Sequence, residues 1–280
     1  MEILKLENLR KAKILHRPSK TCKTPYVADA YFEESPDVVF QAHCPSLGCC
    51  GLCEAGSNVY VTPIQKTGKS GEDKRVCSYV VYLALFEEPE KNHKELIGIH
   101  PKLAETIVEK CLEKDMLEKL VALQFQREVT IMNSRFDFTG TTCHNNPFVL
   151  EVKNVPLADY VDSSDKDRKK MNFKDKHFCE KISYFPDGYR KKKNDVVSPR
   201  ALKHVKELQI LSETTMNETY MCYVIQRSDS IVFQTSVMDP IYKAAVKEAV
   251  DSGVQIITIG VSWNEDGRCF FERDDYDISL

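Results

Sequence analysis

Between Phe148 and Val155 the sequence reads Phe-Val-Leu-Glu-Val-Lys-Asn-Val, an apolar run broken by one acid, one base and one amide. Such a run reads as a strand covered on both faces, the arrangement of an inner strand in a sheet that carries helices. Side chains alternate along a strand, so Glu151 and Lys153 share one face while Leu150 and Val152 share the other. Charges on a covered face need a partner or a metal ion. Upstream, Asn133-Ser-Arg-Phe-Asp-Phe138 leads into the turn-rich stretch Gly140-Thr-Thr-Cys-His-Asn-Asn-Pro147. An antiparallel return through that stretch brings Asp137 beside Glu151.

Two carboxylates and one ammonium at a single point suit the attack of water on a phosphodiester. Asp137 and Glu151 would hold a hard divalent cation, Mg2+ or Mn2+, which keeps several of its waters and accepts phosphate oxygens as further ligands. Lys153 would orient the water or compensate charge on the phosphate. The competing reading is plain: an acid and a lysine two apart can simply decorate the wet face of a strand.

The rest of the chain divides by pattern. Short β-like runs fill the N-terminal third: Lys11 to His16, Tyr26 to Phe32, Val38 to His43, Asn58 to Thr62 and Val76 to Phe86, separated by turn formers at intervals suited to a small barrel. Gly68-Lys69-Ser70 lacks the earlier glycine of a phosphate-binding loop, because Pro63 stands there. Pro89 to Lys94 reads as a linker. Beyond it Leu103, Ile107, Val108, Cys111 and Leu112 recur at helical spacing, with Glu105, Glu109 and Glu113 opposite, and Leu117, Leu120 and Val121 mark a further helix. Lys203 to Leu211 and Ile241 to Val250 are helical, the latter with Gly253 as its cap, while Met221 to Gln226 and Val254 to Val261 are strands. Interleaved helix and strand give an α/β fold, α+β in its mixed sheet.

Residues 158–197 differ, being polar, basic and weakly periodic. Lys166 to Lys170 and Arg190 to Lys193 interleave with Phe173, Tyr184, Phe185 and Tyr189, a pattern that suits either a solvated insertion or phosphate contact with base stacking. A formal charge of -3 over 280 residues supplies no global basic field, so any nucleic-acid surface must be local. The N-terminal residues have no apolar signal core and no run reaches membrane-spanning length, so an intracellular protein without a membrane partner is expected. Its 11 cysteines are then expected to be reduced. Cys44, Cys49, Cys50 and Cys53 beside His43 offer soft ligands, but no second ligand pair follows at zinc-site spacing, so core or loop thiols are expected.

These residues together resemble the sugar fermentation stimulation protein family. The resemblance runs through Ala42-His-Cys-Pro45 with Gly48, Arg127-Glu-Val129, Asn133 to Phe138, Glu151 to Val155, Phe185-Pro-Asp187, Lys203-His204, Gln226-Arg-Ser-Asp229 and Asp239-Pro240. It implies an N-terminal OB-like β-barrel over residues 1–90 and a domain like the PD-(D/E)XK nucleases over 95–280, a restriction-endonuclease-like mixed sheet flanked by helices. It implies that Asp137, Glu151 and Lys153 occupy active-site positions, with Glu109 as a further acid, and that the partner is nucleic acid, DNA above all. Gln226 and Arg227 at a strand end are expected to orient water or hold a phosphate, a role favoured over plain capping and ion pairing. Arg135, Arg200, Lys203, His204, Arg227 and the run Lys191, Lys192, Lys193 are the expected nucleic-acid contacts. A nuclease and a non-catalytic DNA-binding regulator both fit this set; a buried carboxylate pair favours the nuclease, since without a metal it repels phosphate.

Overall fold

The computed structural model describes residues 1–46, 51–64, 76–186 and 195–280. The N-terminal strands are β1 (Glu2–Lys5), β2 (Arg10–His16), β3 (Val27–Phe32), β4 (Ser35–His43), β5 (Asn58–Pro63), β6 (Tyr79–Glu88) and β7 (His93–Gly98). β2 to β6 close a five-stranded ring, because β4 pairs with β3 on one side and with β6 on the other. Small inward residues let so narrow a ring fill: Ala12, Ala28, Ala30 and Ala42 pack with Ile14, Val59, Val61 and Val81.

Next come α1 (Pro101–Glu113), β8 (Ala122–Ile131), β9 (Ser134–Thr142), β10 (Pro147–Val155), β11 (Ala158–Asp159), α2 (Asp165–Arg168) and β12 (Lys181–Phe185). The chain ends with α3 (Pro199–Thr214), β13 (Glu218–Ile225), β14 (Ser230–Thr235), α4 (Pro240–Asp251), β15 (Gln255–Trp263), β16 (Arg268–Arg273) and β17 (Asp277–Ser279). A seven-stranded sheet runs β1-β16-β15-β13-β10-β9-β8, with β10, β13 and β15 parallel at its centre. β11, β12, β14 and β17 form a smaller sheet. The expected mixed α/β architecture, a small closed barrel beside a helix-flanked mixed sheet, is the one observed.

Helices cover both faces of the central sheet. On α1, Leu103, Ile107, Val108 and Leu112 pack with Leu150 and Val152 of β10. On the opposite side Val205 and Leu208 of α3 and Tyr242 and Val246 of α4 pack with Val149 and Val155. Pro begins α1, α3 and α4, where its missing N–H costs nothing, and the caps are His100, Ser198 and Asp239, each accepting a backbone N–H.

Two expectations need correction. Residues 117–121 are not a helix: α1 ends before Asp115, which takes φ 51°, and Leu117 and Leu120 fill the core from a turn. Pro89 to Lys94 is not a linker: Pro89–Lys91 makes the turn of the β6–β7 hairpin, and His93 and Lys94 already pair with Glu88 and Glu87 in β7. β1 pairs with β16 of the central sheet, and β7 extends the barrel sheet.

Candidate active site

The β9–β10 ladder ends at the Phe138–Leu150 pair. One step on, the N–H of Val152 donates to Asp137 Oδ2 at 2.7 Å instead of to a backbone carbonyl. The side chain thus closes the ladder and is fixed beside Glu151. Glu151 is 3% exposed and faces α3; its Oε1 accepts from both Lys153 Nζ and the His204 ring. Its other oxygen, Oε2, is buried with no hydrogen-bond partner among the described residues.

The electrostatics of the two acids diverge. Burial, reinforced by the Glu151 charge, pushes the Asp137 carboxyl up to about 7. Burial also raises Glu151, but Lys153 and His204 beside it prevail and hold it below the ordinary carboxylate value. The folded protein therefore keeps a proton on Asp137 that the unfolded chain surrenders near 3.8. Stability from this group is whole below that value and is lost as pH rises toward 7. In EDTA, Asp137→Asn is expected to be more stable than wild type near pH 8 by on the order of 2 kcal/mol, the gap closing toward pH 4. Urea unfolding across that range checks this, and parallel profiles would contradict the shift.

α1 contributes two acids. Arg127 of β8 holds Glu109 at 2.7 Å and Glu105 at 3.0 Å. Glu109 is thus ion-paired, and it is Glu105, one helical turn earlier, whose charge reaches Asp137. Its i, i+4 spacing to Glu109 was the available signal.

The other expected residues separate. Arg135, Arg200 and Lys203 line a groove of about 440 Å3 that also takes in His204. His204 is 3% exposed and belongs to the carboxylate cluster rather than to the outer surface. Gln226 is buried, with its amide accepting from Trp263 at 2.9 Å and donating to Asn154 at 2.7 Å, so both ends are engaged in the core. Arg227 cannot meet a phosphate as expected: it is 1% exposed, forked onto Asp229 at 2.5 and 2.7 Å and stacked over Phe86. Lys191, Lys192 and Lys193 lie outside the described residues, as do Cys49 and Cys50. Cys44 and Cys53 are buried with their sulfurs 3.3 Å apart.

A second charged cluster was not legible. Glu88, His93 and Asp229 place ligand atoms within 4.8 Å of one another, a spacing that could hold a metal ion. The Lys181 ammonium, however, already bonds Glu88 at 2.5 Å, Asp229 at 2.8 Å and the Phe178 carbonyl at 2.9 Å. The cluster carries its own cation and does not suit a second. It ties β6 and β7 of the barrel sheet to β12 and to the turn just before β14. Within 158–197, for which a solvated insertion and phosphate contact were both open, Lys181 fits neither, because it is 1% exposed.

Comparison with known proteins follows the same lines. A sequence model of the sugar fermentation stimulation protein RE domain matches residues 102–267. Similar chains include the sugar fermentation stimulation protein homolog of Shouchella clausii, 28% identical over 277 residues and covering 96% of this chain and 98% of that one. The homolog of Alteromonas mediterranea is 28% identical over 240 residues, covering 83% and 84%. The solved structure of Pyrococcus furiosus SfsA in complex with Ca2+ aligns over 100% of both chains with a TM-score of 0.72 at 18% identity, a likeness of fold. Among the described residues no helix is long and apolar enough to cross a membrane.

Proposed function

The chain belongs to the sugar fermentation stimulation protein family, and from that premise we propose that Asp137, Glu151 and Lys153 form a metal-dependent phosphodiesterase site acting on nucleic acid, DNA above all. The observation that carries the reading is the buried, unpartnered Oε2 of Glu151 beside a carboxyl that burial keeps half protonated near neutrality. A native interior does not leave such oxygens orphaned without reason. A divalent cation is the group that would satisfy both acids at once.

Asp137 and Glu151 would hold Mg2+ or Mn2+, hard cations of the same kind as the Ca2+ with which the Pyrococcus furiosus relative was solved. When bound, the ion supplies Lewis acidity and a more acidic water. The chain supplies the rest. Val152 N–H fixes Asp137, and His204 fixes Glu151, so both acids are oriented before substrate arrives. Lys153, its side chain 12% exposed, is covered yet reachable, and its ammonium can hold the water or offset charge growing on the phosphate. Glu105 adds a third acid on the α1 side, with Arg127 limiting its charge.

The test is a panel of single- and double-stranded DNA and RNA, incubated with EDTA-treated protein before and after Mg2+ or Mn2+ is restored. Cleavage of at least one substrate only when the ion is restored is expected. No ion-dependent cleavage of any substrate would favour a binding protein on a catalytically silent core.

A further inference from the structure

The groove beside the cluster has a built floor. It is lined by Asn133, Ser134 and Arg135 at the start of β9 and by Arg200, Lys203 and His204 in the first turns of α3. Ser134 is 4% exposed, and its Oγ has no hydrogen-bond partner among the described residues. An unmet buried hydroxyl is costly, and the residue that carries it lines an open groove. The rim is cationic. Arg200 is exposed and makes no ion pair among the described residues, Arg135 reaches Glu128 only at 3.5 Å, and the Lys203 ammonium donates to the Asn133 carbonyl 70 residues away in sequence. The positive end of the 16-residue helix α3 points the same way. Against these, among the described residues, stand Glu128 beside Arg135 and Glu207, 3.8 Å from Lys203.

The position of the groove says what its anion belongs to. His204 lines it and also bonds Glu151, so its inner end is one side chain from the carboxylates. We propose that this groove is a phosphate subsite, in which the Ser134 hydroxyl donates to, and Arg200 and Lys203 neutralise, the phosphate neighbouring the one that is cut. The anion binding stands on the groove itself; the assignment to a nucleic-acid strand rests on the nuclease reading. A phosphate there is either the 5′-terminal group of a strand end or an internal phosphodiester, and the two share this chemistry.

The experiment uses the full chain in EDTA, so that nothing is cleaved. Anisotropy of a short 3′-labelled single-stranded DNA, with and without a 5′-phosphate, is measured for wild type, Ser134→Ala and Arg200→Gln. Each substitution is expected to weaken binding about three- to tenfold, and Arg200→Gln to lower the slope of log affinity against log salt by about 0.7. A loss confined to the phosphorylated strand assigns the subsite to a strand end, and an equal loss with both strands assigns it to an internal phosphodiester. Unchanged affinity for both strands in both variants, with melting temperatures unchanged, overturns the proposal. A protein that binds as expected but cleaves nothing in the substrate panel would sink the nuclease reading and leave the anion site standing.

Discussion

Lys181→Met is expected to destabilise the protein by about 3–5 kcal/mol, the cost of leaving buried acids without their cation. The methionine replaces all but the terminal atom of the lysine side chain, so the loss is chiefly one of charge and hydrogen bonds rather than volume. In wild type the ammonium bonds Glu88 and Asp229 and sits over the Tyr160 ring at 4.9 Å. Arg227, committed to Asp229 through a fork, cannot serve Glu88 as well. Burial raises Asp229, but Arg227 and then Lys181 outweigh it and bring its carboxyl down to about 2. Its contribution is therefore present above the ordinary value of 3.8 and is lost only as pH falls toward 2. The penalty of Lys181→Met is accordingly expected to be largest at neutral pH and to shrink as pH falls toward 2, where the Asp229 carboxylate no longer needs a cation. Urea unfolding at neutral and acid pH measures both. A change of under about 1 kcal/mol at neutral pH would mean that these acids are not dependent on the ammonium.

That cluster also marks where reading the sequence fails. Lys181 meets Glu88 across 93 residues and Asp229 across 48, and no local pattern encodes a pairing of that span. Lysine in a basic, weakly periodic stretch reads as a solvated charge, and only the return of β12 beside β14 carries it inside. Arg227 fails for a related reason: at the end of an apolar strand it suits a phosphate, yet Asp229 two residues on captures it. Leu117 and Leu120 have helical spacing because they fill one core, but the positive φ of Asp115 had already ended α1. By contrast β10 was legible because everything that defines it is local. Its alternation sends Leu150 and Val152 to α1 and leaves Glu151 to His204, and the turn before it returns the chain next to Asp137. The barrel was legible for the same reason, as regularly spaced short runs between turn formers.

The second large effect concerns catalysis. On the proposed phosphodiesterase reading Asp137→Asn and Glu151→Gln would each remove a ligand charge from a buried site, and a loss of about 1,000-fold or more, roughly 4 kcal/mol in the barrier, is expected from either. Lys153→Ala is expected to keep the metal affinity and lose about 100-fold in rate, because its ammonium acts on the water or phosphate rather than on the ion. Nucleic-acid affinity in EDTA should be unchanged or higher for the two carboxylate variants, since each removes a negative charge near the phosphate. A regulator without chemistry predicts no such separation between rate and affinity.

The decisive measurement is cleavage by wild type and Asp137→Asn, purified identically and assayed side by side with Mg2+ or Mn2+ on whichever substrate the panel identifies. Cleavage by wild type alone, abolished by EDTA, is the predicted result. Equal cleavage by the two proteins would trace the activity to a contaminant and contradict the assignment of Asp137, Glu151 and Lys153 as a catalytic site.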